Sequence, residues 1–396
     1  MKIGELFAGI GGLGLGAAYI TGGRVAWQVE HDPAAAAVLR RRFPGSRVIC
    51  GDVRDVAGAE LEPVDLICGG FPCQDLSVAG KQAGLDGERS GLYCELVRIV
   101  DEAKPGAVLI ENVPPLLRYR DRVDADLAAI GYRTEWARMS ALGAGAPHLR
   151  RRVFVLACRG EQPSAVRAVA SMPWGGDMPW PTPLSSDSKG PGPRPGLNKG
   201  ATLTDAIKGL WPTPTATQRD NQGGSGGRVG PVRPCLESAV SETWPTPCAR
   251  DYRTGADGAF AERRDANGSG PSLSDALTGR LNPARVETVM GLPVGWTDPD
   301  ADVDEVAALD LIGSPRWPAG WDRSIEGGGP QHEWEPPRTV TGAPVRGRPA
   351  RLRQLGNAVV PAQGAAALQQ LLRGCTCGGL SLFPDMKMPL CDNCWR

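Results

Sequence analysis

Short apolar runs rich in β-branched residues alternate with helical patterns along the first 158 residues. The runs with the composition of strands are 2–7, 24–29, 47–50, 64–68, 106–110, 132–138 and 152–157. The stretches with helical periodicity are 12–20, 33–42, 91–104 and 121–130. This alternation predicts an α/β domain with a largely parallel sheet, covered by helices on both faces. A ligand is expected along the carboxyl edge of that sheet.

Proline, glycine and serine dominate the chain after Arg159, and strand or helix periodicity fades until about residue 280. The tetrapeptide WPTP recurs there, beginning at Trp180, Trp211 and Trp244, with spacings of 31 and 33 residues. Each copy is followed 23 to 29 residues later by a short helical signature: LTDAI at Leu203, LESAV at Leu236 and LSDAL at Leu273. A repeat in fixed order predicts three small units, each anchored by its tryptophan. A proline-rich linker is the alternative interpretation.

The length of 396 residues exceeds the usual size of a single core and predicts two domains with small attachments. Formal net charge is zero, but five arginines and no acid lie between Arg338 and Arg353, and Arg150 to Arg152 form a second basic block. Such blocks suit phosphate groups, although a solvated surface is the plainer interpretation. The chain shows neither an apolar stretch of membrane-spanning length nor a secretion signal, so a cytoplasmic, nucleoid-associated protein without a membrane partner is expected.

Residues with candidate chemistry follow several predicted strands. The glycine-rich turn ELFAGIGGLGLG (5–16) would bring backbone amides close to a ligand at a helix N-terminus. The acids Glu30 and Asp52 follow the second and third strands, where acids in dinucleotide-binding folds hold ribose hydroxyls. Cys73 lies behind a proline at the end of the fourth strand, and Glu111 closes the fifth. A thiolate and a carboxyl group are therefore expected at one edge of the sheet.

In chain order, FAGIGG, PCQ, ENV, a spaced arginine pair and QLGNAV resemble the DNA (cytosine-5) methyltransferase family of bacterial and bacteriophage type. The resemblance covers about the first 158 residues and the stretch from about 281 to 373. It implies a Rossmann-like fold that binds S-adenosylmethionine, with an inserted, irregular target-recognition domain. The residues that it implies for the cofactor pocket are Phe7, Gly9, Gly11, Glu30, His31, Asp52, Val53, Leu92, Asn357 and Val359.

The same resemblance implies the catalytic residues Cys73, Glu111, Arg150 and Arg152. Because cytosine carbon-5 is a poor nucleophile, a Cys73 thiolate would first add to carbon-6 and make the ring electron-rich. Glu111 would then hydrogen-bond ring N3, Arg152 would contact O2, and Arg150 would lie near the nucleophile. The family pattern has glutamine where this chain has His148.

The chain is expected to divide into four parts. These are a catalytic domain over 1–158, a target-recognition domain with the three WPTP units over 159–339, a return to the catalytic domain over 340–374, and a tail over 375–396. The segment LNPARVETVMGLPVGWTD (281–298) resembles the family segment that supports the recognition domain. Its Met290-Gly291-Leu292-Pro293 replaces the usual glutamine-glycine-phenylalanine-proline.

Eleven cysteines in a chain expected in the cytoplasm do not suggest disulfides. Those in or near apolar segments are expected to be buried, namely Cys50, Cys68, Cys94 and Cys158. Two close pairs in the tail predict one structural zinc ion: Cys375, Cys377, Cys391 and Cys394. A flexible reduced tail is the alternative. GLSLF (379–383), between the two pairs, weakly resembles a sliding-clamp-binding peptide.

The resemblance implies an enzyme that methylates carbon-5 of a flipped cytosine in double-stranded DNA, and a monomer is expected. The sequence does not distinguish a role in restriction-modification from bacteriophage self-protection or regulation. Two alternatives are methylation of cytosine in transfer RNA, as in one branch of the family, and DNA binding by a catalytically degenerate chain. The intact Cys73, Glu111 and Arg152 argue against degeneration, and the long insertion favours DNA. The recognised sequence cannot be read from these residues, since base contacts depend on loop geometry.

Overall fold

A seven-stranded sheet organises the first 159 residues of the chain in the computed structural model. The structure describes residues 1–72, 91–159, 244–249, 251–252, 273–274, 277, 280–318, 329–340, 342 and 344–372. The strands are β1 (Lys2–Leu6), β2 (Arg24–Glu30), β3 (Arg47–Cys50), β4 (Leu66–Gly69), β5 (Ala107–Asn112), β6 (Tyr132–Ser140) and β7 (Arg151–Arg159). Their order is β3-β2-β1-β4-β5-β7-β6. The pairs among β1 to β5 are parallel, whereas β7 is antiparallel to both β5 and β6.

Helices cover both faces of the sheet and continue after the insertion. They are α1 (Gly12–Thr21), α2 (Pro33–Arg42), α3 (Gly91–Ala103), α4 (Arg120–Ala129), α5 (Pro283–Val289), α6 (Glu305–Gly313), α7 (Arg348–Asn357) and α8 (Pro361–Leu372). Successive residues of β5 point to opposite faces. Val108 and Ile110 join a hydrophobic cluster with residues of α3 and α4, whereas Ala107 and Leu109 join one with α1 and α8. The predicted α/β, Rossmann-like architecture is confirmed.

The helix ends follow local sequence signals. Asp32 caps α2 by accepting a hydrogen bond from the amide of Ala34 at 2.8 Å, and Pro33 occupies the first turn, where no amide donor is needed. Asn282 and Pro283 repeat this arrangement at α5. The sequence analysis predicted α1 to α4 but not α5 or α6, although the Asn-Pro cap was a usable signal.

The chain returns to α1 near its C-terminal end, where α8 packs against α1 and the strands β6 and β7. This contact depends on glycines in α1, because a Cβ at Gly12 would lie 2.2 Å from the carbonyl oxygen of Val359, and one at Gly16 would lie 2.5 Å from that of Pro361. The close approach places the connection between α7 and α8 over the start of α1.

A third hydrophobic cluster joins distant parts of the chain. It contains Ile10 and Leu15 from the first 20 residues, Trp244 and Leu273 from the third WPTP unit, and Leu355 of α7. The described residues of the third unit therefore pack against the body of the protein. The division into domains stays a prediction, since most of residues 159–280 lie outside the described part of the chain.

Two of the four cysteines that were expected to be buried are exposed. Cys68 and Cys158 lie in the core, and burial raises the pKa of both thiols. Cys50 and Cys94 are exposed because their apolar neighbours, and not the cysteines, face the core. Among the described helices none is long and apolar enough to cross a membrane.

Candidate functional site

The glycine-rich turn and Glu30 lie together at the carboxyl ends of β1 and β2. Gly9 and Gly11 adopt φ angles of +58° and +85°, which side chains disfavour, so the sharp turn requires glycine. The Glu30 carboxylate accepts hydrogen bonds from the amides of Gly9 and Asp32 at 2.7 and 2.8 Å. Burial raises the pKa of Glu30 above its ordinary value. An acid is thus held beside the turn by two backbone amides, and its role in binding a cofactor stays a prediction.

Glu5 lies beneath this turn and was not identified from the sequence. Its side chain is buried and accepts hydrogen bonds from the amide of Gly14 and from Nε2 of Gln28, both at 2.8 Å. Burial raises the pKa of Glu5 to about 7, with the Glu30 charge adding to the effect. A Cβ at position 14 would lie 2.6 Å from the carboxylate, so glycine is needed there. The signal in the sequence was a lone acid inside an apolar strand.

Asp52 follows β3 and caps a short 3-10 turn, Val53–Asp55. Arg54 donates to both carboxylate oxygens, from Nε at 3.0 Å and from Nη2 at 2.6 Å. These bonds, with the amide of Arg54, lower the pKa of Asp52 to about 2. Nearby His31 is exposed, whereas Val53 is buried. Asp52 is therefore ionised and faces hydrogen-bond donors.

The remaining residues implied for the cofactor pocket come from three other segments. Phe7 and Leu92 are half-buried and pack against one hydrophobic cluster, to which Val53 belongs. Val359 lies beside Gly12 at the start of α1. Asn357 ends α7 two residues earlier and is exposed. The structure thus brings most of these residues to the carboxyl edge of β1, β2 and β3.

An ion pair joins Glu111 of β5 to Arg152 of β7. The two strands are antiparallel neighbours, and Nε of Arg152 lies 2.8 Å from Oε1 of Glu111. Both side chains are mostly buried, at 11% exposure for Glu111 and 18% for Arg152. A Cβ at Gly70 would lie 2.9 Å from Oε2 of Glu111, so glycine at that position leaves room for the carboxylate.

Asn112 connects β5 to Phe71, two residues before Cys73 in the sequence. Its Nδ2 donates to the carbonyl oxygen of Phe71 at 3.0 Å, and its Oδ1 accepts from the amide of Val113 at 2.8 Å. The sequence analysis quoted Asn112 within the ENV motif without assigning it a role. Cys73 itself lies outside the described residues, which stop at Pro72 and resume at Gly91.

Arg150 is buried and donates to main-chain carbonyl groups of Pro247, Gly356 and Ala358. His148 is fully buried, and burial, helped by the positive charge of Arg150, lowers the pKa of its imidazole to about 3. A neutral, buried His148 cannot contact a DNA backbone. Of the basic block 150–152, Arg152 is thus the member that pairs with an acid of the site.

The five arginines between residues 338 and 353 all contact other residues of the protein. Arg351 pairs with Glu287 and Asp298, and Arg346 pairs with Asp300. Arg348 donates to the carbonyl oxygens of Leu281 and Tyr252. The other two lie over aromatic rings, Arg338 over Trp244 and Arg353 over Tyr252. The interpretation of this run as a solvated basic surface is therefore wrong for most of its arginines, because partners within the protein occupy their guanidinium groups.

Trp244 anchors the described part of the third WPTP unit. It is 1% exposed, and the guanidinium carbons of Arg285 and Arg338 lie 4.6 and 5.1 Å from its ring centroid. Arg285 also forms a fully buried ion pair with Glu335. Trp180 and Trp211, which begin the other two units, lie outside the described residues.

The four tail cysteines and the GLSLF segment also lie outside the described residues, which end at Leu372. Within the described part of the chain, no group of three or more histidine, cysteine, aspartate or glutamate residues could hold a metal ion. The zinc site stays a prediction.

Comparisons with known proteins match the first half of the chain. Residues 1–190 match the family described as C-5 cytosine-specific DNA methylase. The Type II methyltransferase M2.BsuMI of Bacillus subtilis (strain 168) is 38% identical over 175 residues, 42% of this chain and 44% of that protein. M.AquIA of Picosynechococcus sp. is 31% identical over 179 residues, 40% of this chain and 72% of that protein.

Among solved structures, the S. pombe Dnmt2 methyltransferase matches with a TM-score of 0.46 and 14% identity, over 94% of this chain and 98% of that one. The chain spans about half the length of the first curated relatives that it matches, 44% of one and 56% of the other.

Proposed function

Because the chain belongs to the C-5 cytosine-specific DNA methylase family, we propose that it transfers a methyl group from S-adenosylmethionine to carbon-5 of a cytosine in double-stranded DNA. The observation that carries the proposal is the Glu111–Arg152 ion pair, tied through Asn112 to Phe71, two residues before Cys73. A carboxyl group and a guanidinium then lie at the end of β5, beside the segment whose sequence continues to Cys73. That combination supplies a nucleophile and groups for the polar edge of a pyrimidine.

The residues at the carboxyl edge of β1 to β3 fit an adenosyl cofactor. Glu30 is fixed beside the glycine turn and can accept hydrogen bonds from ribose hydroxyls, and Asp52 can accept one from an exocyclic amine. Phe7, Val53 and Leu92 offer apolar surface to a planar ring. When bound there, S-adenosylmethionine would supply an electrophilic methyl group.

Cys73 begins the proposed reaction by forming a bond between its sulfur and cytosine carbon-6. Glu111, carrying or sharing a proton at ring N3, and Arg152, donating to O2, stabilise the charge that moves into the ring. Carbon-5 would then take the methyl group from the sulfonium of bound S-adenosylmethionine, leaving the neutral thioether S-adenosylhomocysteine. Loss of the carbon-5 proton to a base and cleavage of the bond from sulfur to carbon-6 regenerate the Cys73 thiolate. The intact Glu111–Arg152 pair favours this activity over a degenerate DNA-binding role.

The target base must leave the DNA stack to reach Cys73, at a cost of about a few kcal/mol that protein contacts repay. Residues 159–339 are proposed to supply those contacts as the target-recognition domain, with the WPTP units inside it. Exchanging 160–243 for the corresponding segment of a relative should move the methylated sequence with it, as read by bisulfite sequencing. A chimera that folds and keeps the original site would place specificity elsewhere.

Mechanism-based trapping tests the proposed activity. DNA containing 5-fluorocytosine should bind the protein irreversibly in the presence of cofactor, because fluorine blocks the final elimination. Cys73→Ser should abolish trapping while leaving cofactor binding nearly unchanged. A transfer RNA substrate assayed in parallel distinguishes the RNA alternative, and methylation of RNA but not of DNA would overturn the proposal. Trapping of Cys73→Ser would remove Cys73 from the mechanism.

The tail supports a separate proposal, one zinc ion held by Cys375, Cys377, Cys391 and Cys394. Four thiolates in two close pairs can complete a tetrahedral site, and the metal would order the short segment between the pairs. Metal analysis of freshly reduced protein should find about one zinc per chain, lost when Cys391 and Cys394 become serine. Absence of stoichiometric metal would refute the site. The protein is also proposed to be a monomer. GLSLF (379–383) weakly resembles a sliding-clamp-binding peptide, and a contact with a clamp can be tested in the same experiments.

A further inference from the structure

Arg150 is the residue on which three separate parts of the chain converge. Its guanidinium donates to the carbonyl oxygens of Pro247 at 3.3 Å, Gly356 at 3.2 Å and Ala358 at 2.6 Å. The residue is 5% exposed. Since these bonds engage both terminal nitrogens, the side chain is committed to the protein interior. This differs from Arg152, which meets an acid at the edge of the sheet.

The backbone of Arg150 is held as firmly as its side chain. Its amide donates to Oγ1 of Thr246 at 3.2 Å, and its carbonyl oxygen accepts from Nε2 of Gln363 at 2.8 Å and from the amide of Ala141 at 3.1 Å. The φ angle of Arg150 is +20°, which residues with a side chain rarely adopt. Such a conformation persists only where its surroundings determine it.

The partners of Arg150 lie on both sides of the proposed active site. Gly356 and Ala358 flank Asn357, and the next residue, Val359, lies against Gly12 of the glycine-rich turn. In the other direction, Arg152 follows two residues later and pairs with Glu111. We call the residues around the glycine-rich turn the cofactor side of the site, and the Glu111–Arg152 pair the base side. The guanidinium of Arg150 binds the connection between α7 and α8, on the cofactor side, while its backbone leads directly into β7, on the base side.

The third WPTP unit supplies the remaining contacts. Thr246 and Pro247 bond the backbone and the side chain of Arg150, and Trp244 fixes their segment by donating its amide to the carbonyl oxygen of Pro147 at 2.7 Å. A Cβ at Gly356 would lie 2.1 Å from the carbonyl carbon of Cys248, so this segment also packs directly on α7.

We propose that Arg150 is a positioning residue that couples the third WPTP unit to both the cofactor side and the base side of the active site, without contacting the cytosine. The proposal rests on the methyl transfer proposed above, because that activity defines the two sides. It assigns Arg150 and Arg152 different roles although they are two residues apart.

A comparison of Arg150→Gln with Arg152→Gln tests this assignment. Cofactor affinity is measured by calorimetry without DNA, and kcat is measured as methyl transfer to an unmethylated duplex that carries the recognised sequence. Arg150→Gln should weaken S-adenosylmethionine binding by about tenfold and also lower kcat, because the carbonyl groups around Asn357 lose their donor. Arg152→Gln should lower kcat with little change in cofactor affinity. Wild-type cofactor affinity in Arg150→Gln, with only kcat reduced, would show that Arg150 acts on the base and overturn the proposal.

Thr246→Val keeps the test decisive if Arg150→Gln does not fold. It removes the acceptor of the Arg150 amide and preserves the shape of the side chain, so cofactor affinity should fall by about threefold. Thr246→Ser restores the hydroxyl and should restore the affinity. No change in Thr246→Val would refute the coupling. A wild-type protein that neither binds cofactor nor methylates DNA would instead refute the proposed function.

Discussion

The sheet region, residues 1–159, and the irregular region, residues 280–357, have interiors of different kinds. In the sheet region, β5 buries all six of its residues, four of them apolar. In the irregular region Arg285, Arg348 and Arg351 are buried, with exposures of 0%, 3% and 6%. Strands satisfy their carbonyl groups with neighbouring strands, whereas an irregular segment needs other donors. A guanidinium, with its several fixed N–H groups, can supply them, as Arg348 does for the carbonyl oxygens of Leu281 and Tyr252. Arg285 and Arg351 instead pair with buried acids of the same region.

Arg42 shows how the two regions are joined. It lies at the end of α2 and is fully buried. Its guanidinium donates to five carbonyl oxygens of one loop, those of Gly295, Trp296, Asp298, Ala301 and Val303. Trp296 of that loop donates its Nε1 to the carbonyl oxygen of Ile10 at 3.0 Å, within the glycine-rich turn. The irregular region thus supports the turn of the sheet region.

The largest expected effect on stability comes from removing the Arg42 side chain and its five hydrogen bonds. Arg42→Ala should lower the free energy of unfolding by about 5 kcal/mol, because a buried network of hydrogen bonds to a charged donor is lost. Arg40→Ala, on the exposed face of the same helix, should change it by less than about 0.5 kcal/mol. Urea denaturation measures both. Equal stability of the two variants would mean that water can replace Arg42 as the donor to these five carbonyl groups at little cost. The proposed difference between the two interiors would then be wrong.

A second pair compares two arginines of the irregular region. Nη2 of Arg351 lies 3.2 Å from Oε1 of Glu287, whose side chain is fully buried. Arg351→Ala leaves this carboxylate without its guanidinium partner and should lower the free energy of unfolding by about 3 to 5 kcal/mol. Arg346, whose side chain is 76% exposed, pairs with an exposed Asp300. Arg346→Ala should cost less than about 1 kcal/mol. Similar losses in the two variants, by the same denaturation measurement, would contradict a role for burial.

The smallest expected effect concerns Glu5, a buried acid in the apolar sheet region. Because its pKa is raised to about 7 from 4.5, the folded protein keeps the proton that the unfolded chain releases. Wild-type stability therefore falls as the pH rises from about 4.5 to about 7. Glu5→Gln cannot ionise, and Oε1 of Gln28, which is buried without a partner among the described residues, can accept from the new amide. The variant should gain stability relative to wild type across this window, by at most about 3 kcal/mol.

Melting temperatures measured from pH 4 to 9 test this prediction, with the exposed Glu60→Gln as the matched control. The difference between Glu5→Gln and wild type should grow up to about pH 7 and then stay constant, whereas the control should show no trend. A difference that does not vary with pH would mean that Glu5 has the same pKa in the folded protein as in the unfolded chain, so that the hydrogen bonds from Gly14 and Gln28 offset its burial.

The contrast between the two regions also explains what could be predicted from the sequence. The strands and the helices α1 to α4 follow apolar periodicity, which is a local property of the chain, and the prediction matched the structure closely. The motif residues Glu111 and Arg152 were identified, and the structure brings them together. The bonds of Arg42 and Arg150 join residues far apart in sequence and follow no periodic pattern, so their partners could not be predicted.

The packing of α8 on α1 also bears on how the protein folds as it is synthesised. Helix α1 is made well before α8, which packs on it and ends at Leu372, so the part of the apolar cluster around Leu13 and Ala17 that α8 covers stays uncovered until residues 361–372 have been translated. Residues 160–243 must be made in the meantime. Nascent chains that stop before residue 361 would expose this part of the cluster and should depend on chaperones more than the finished protein does.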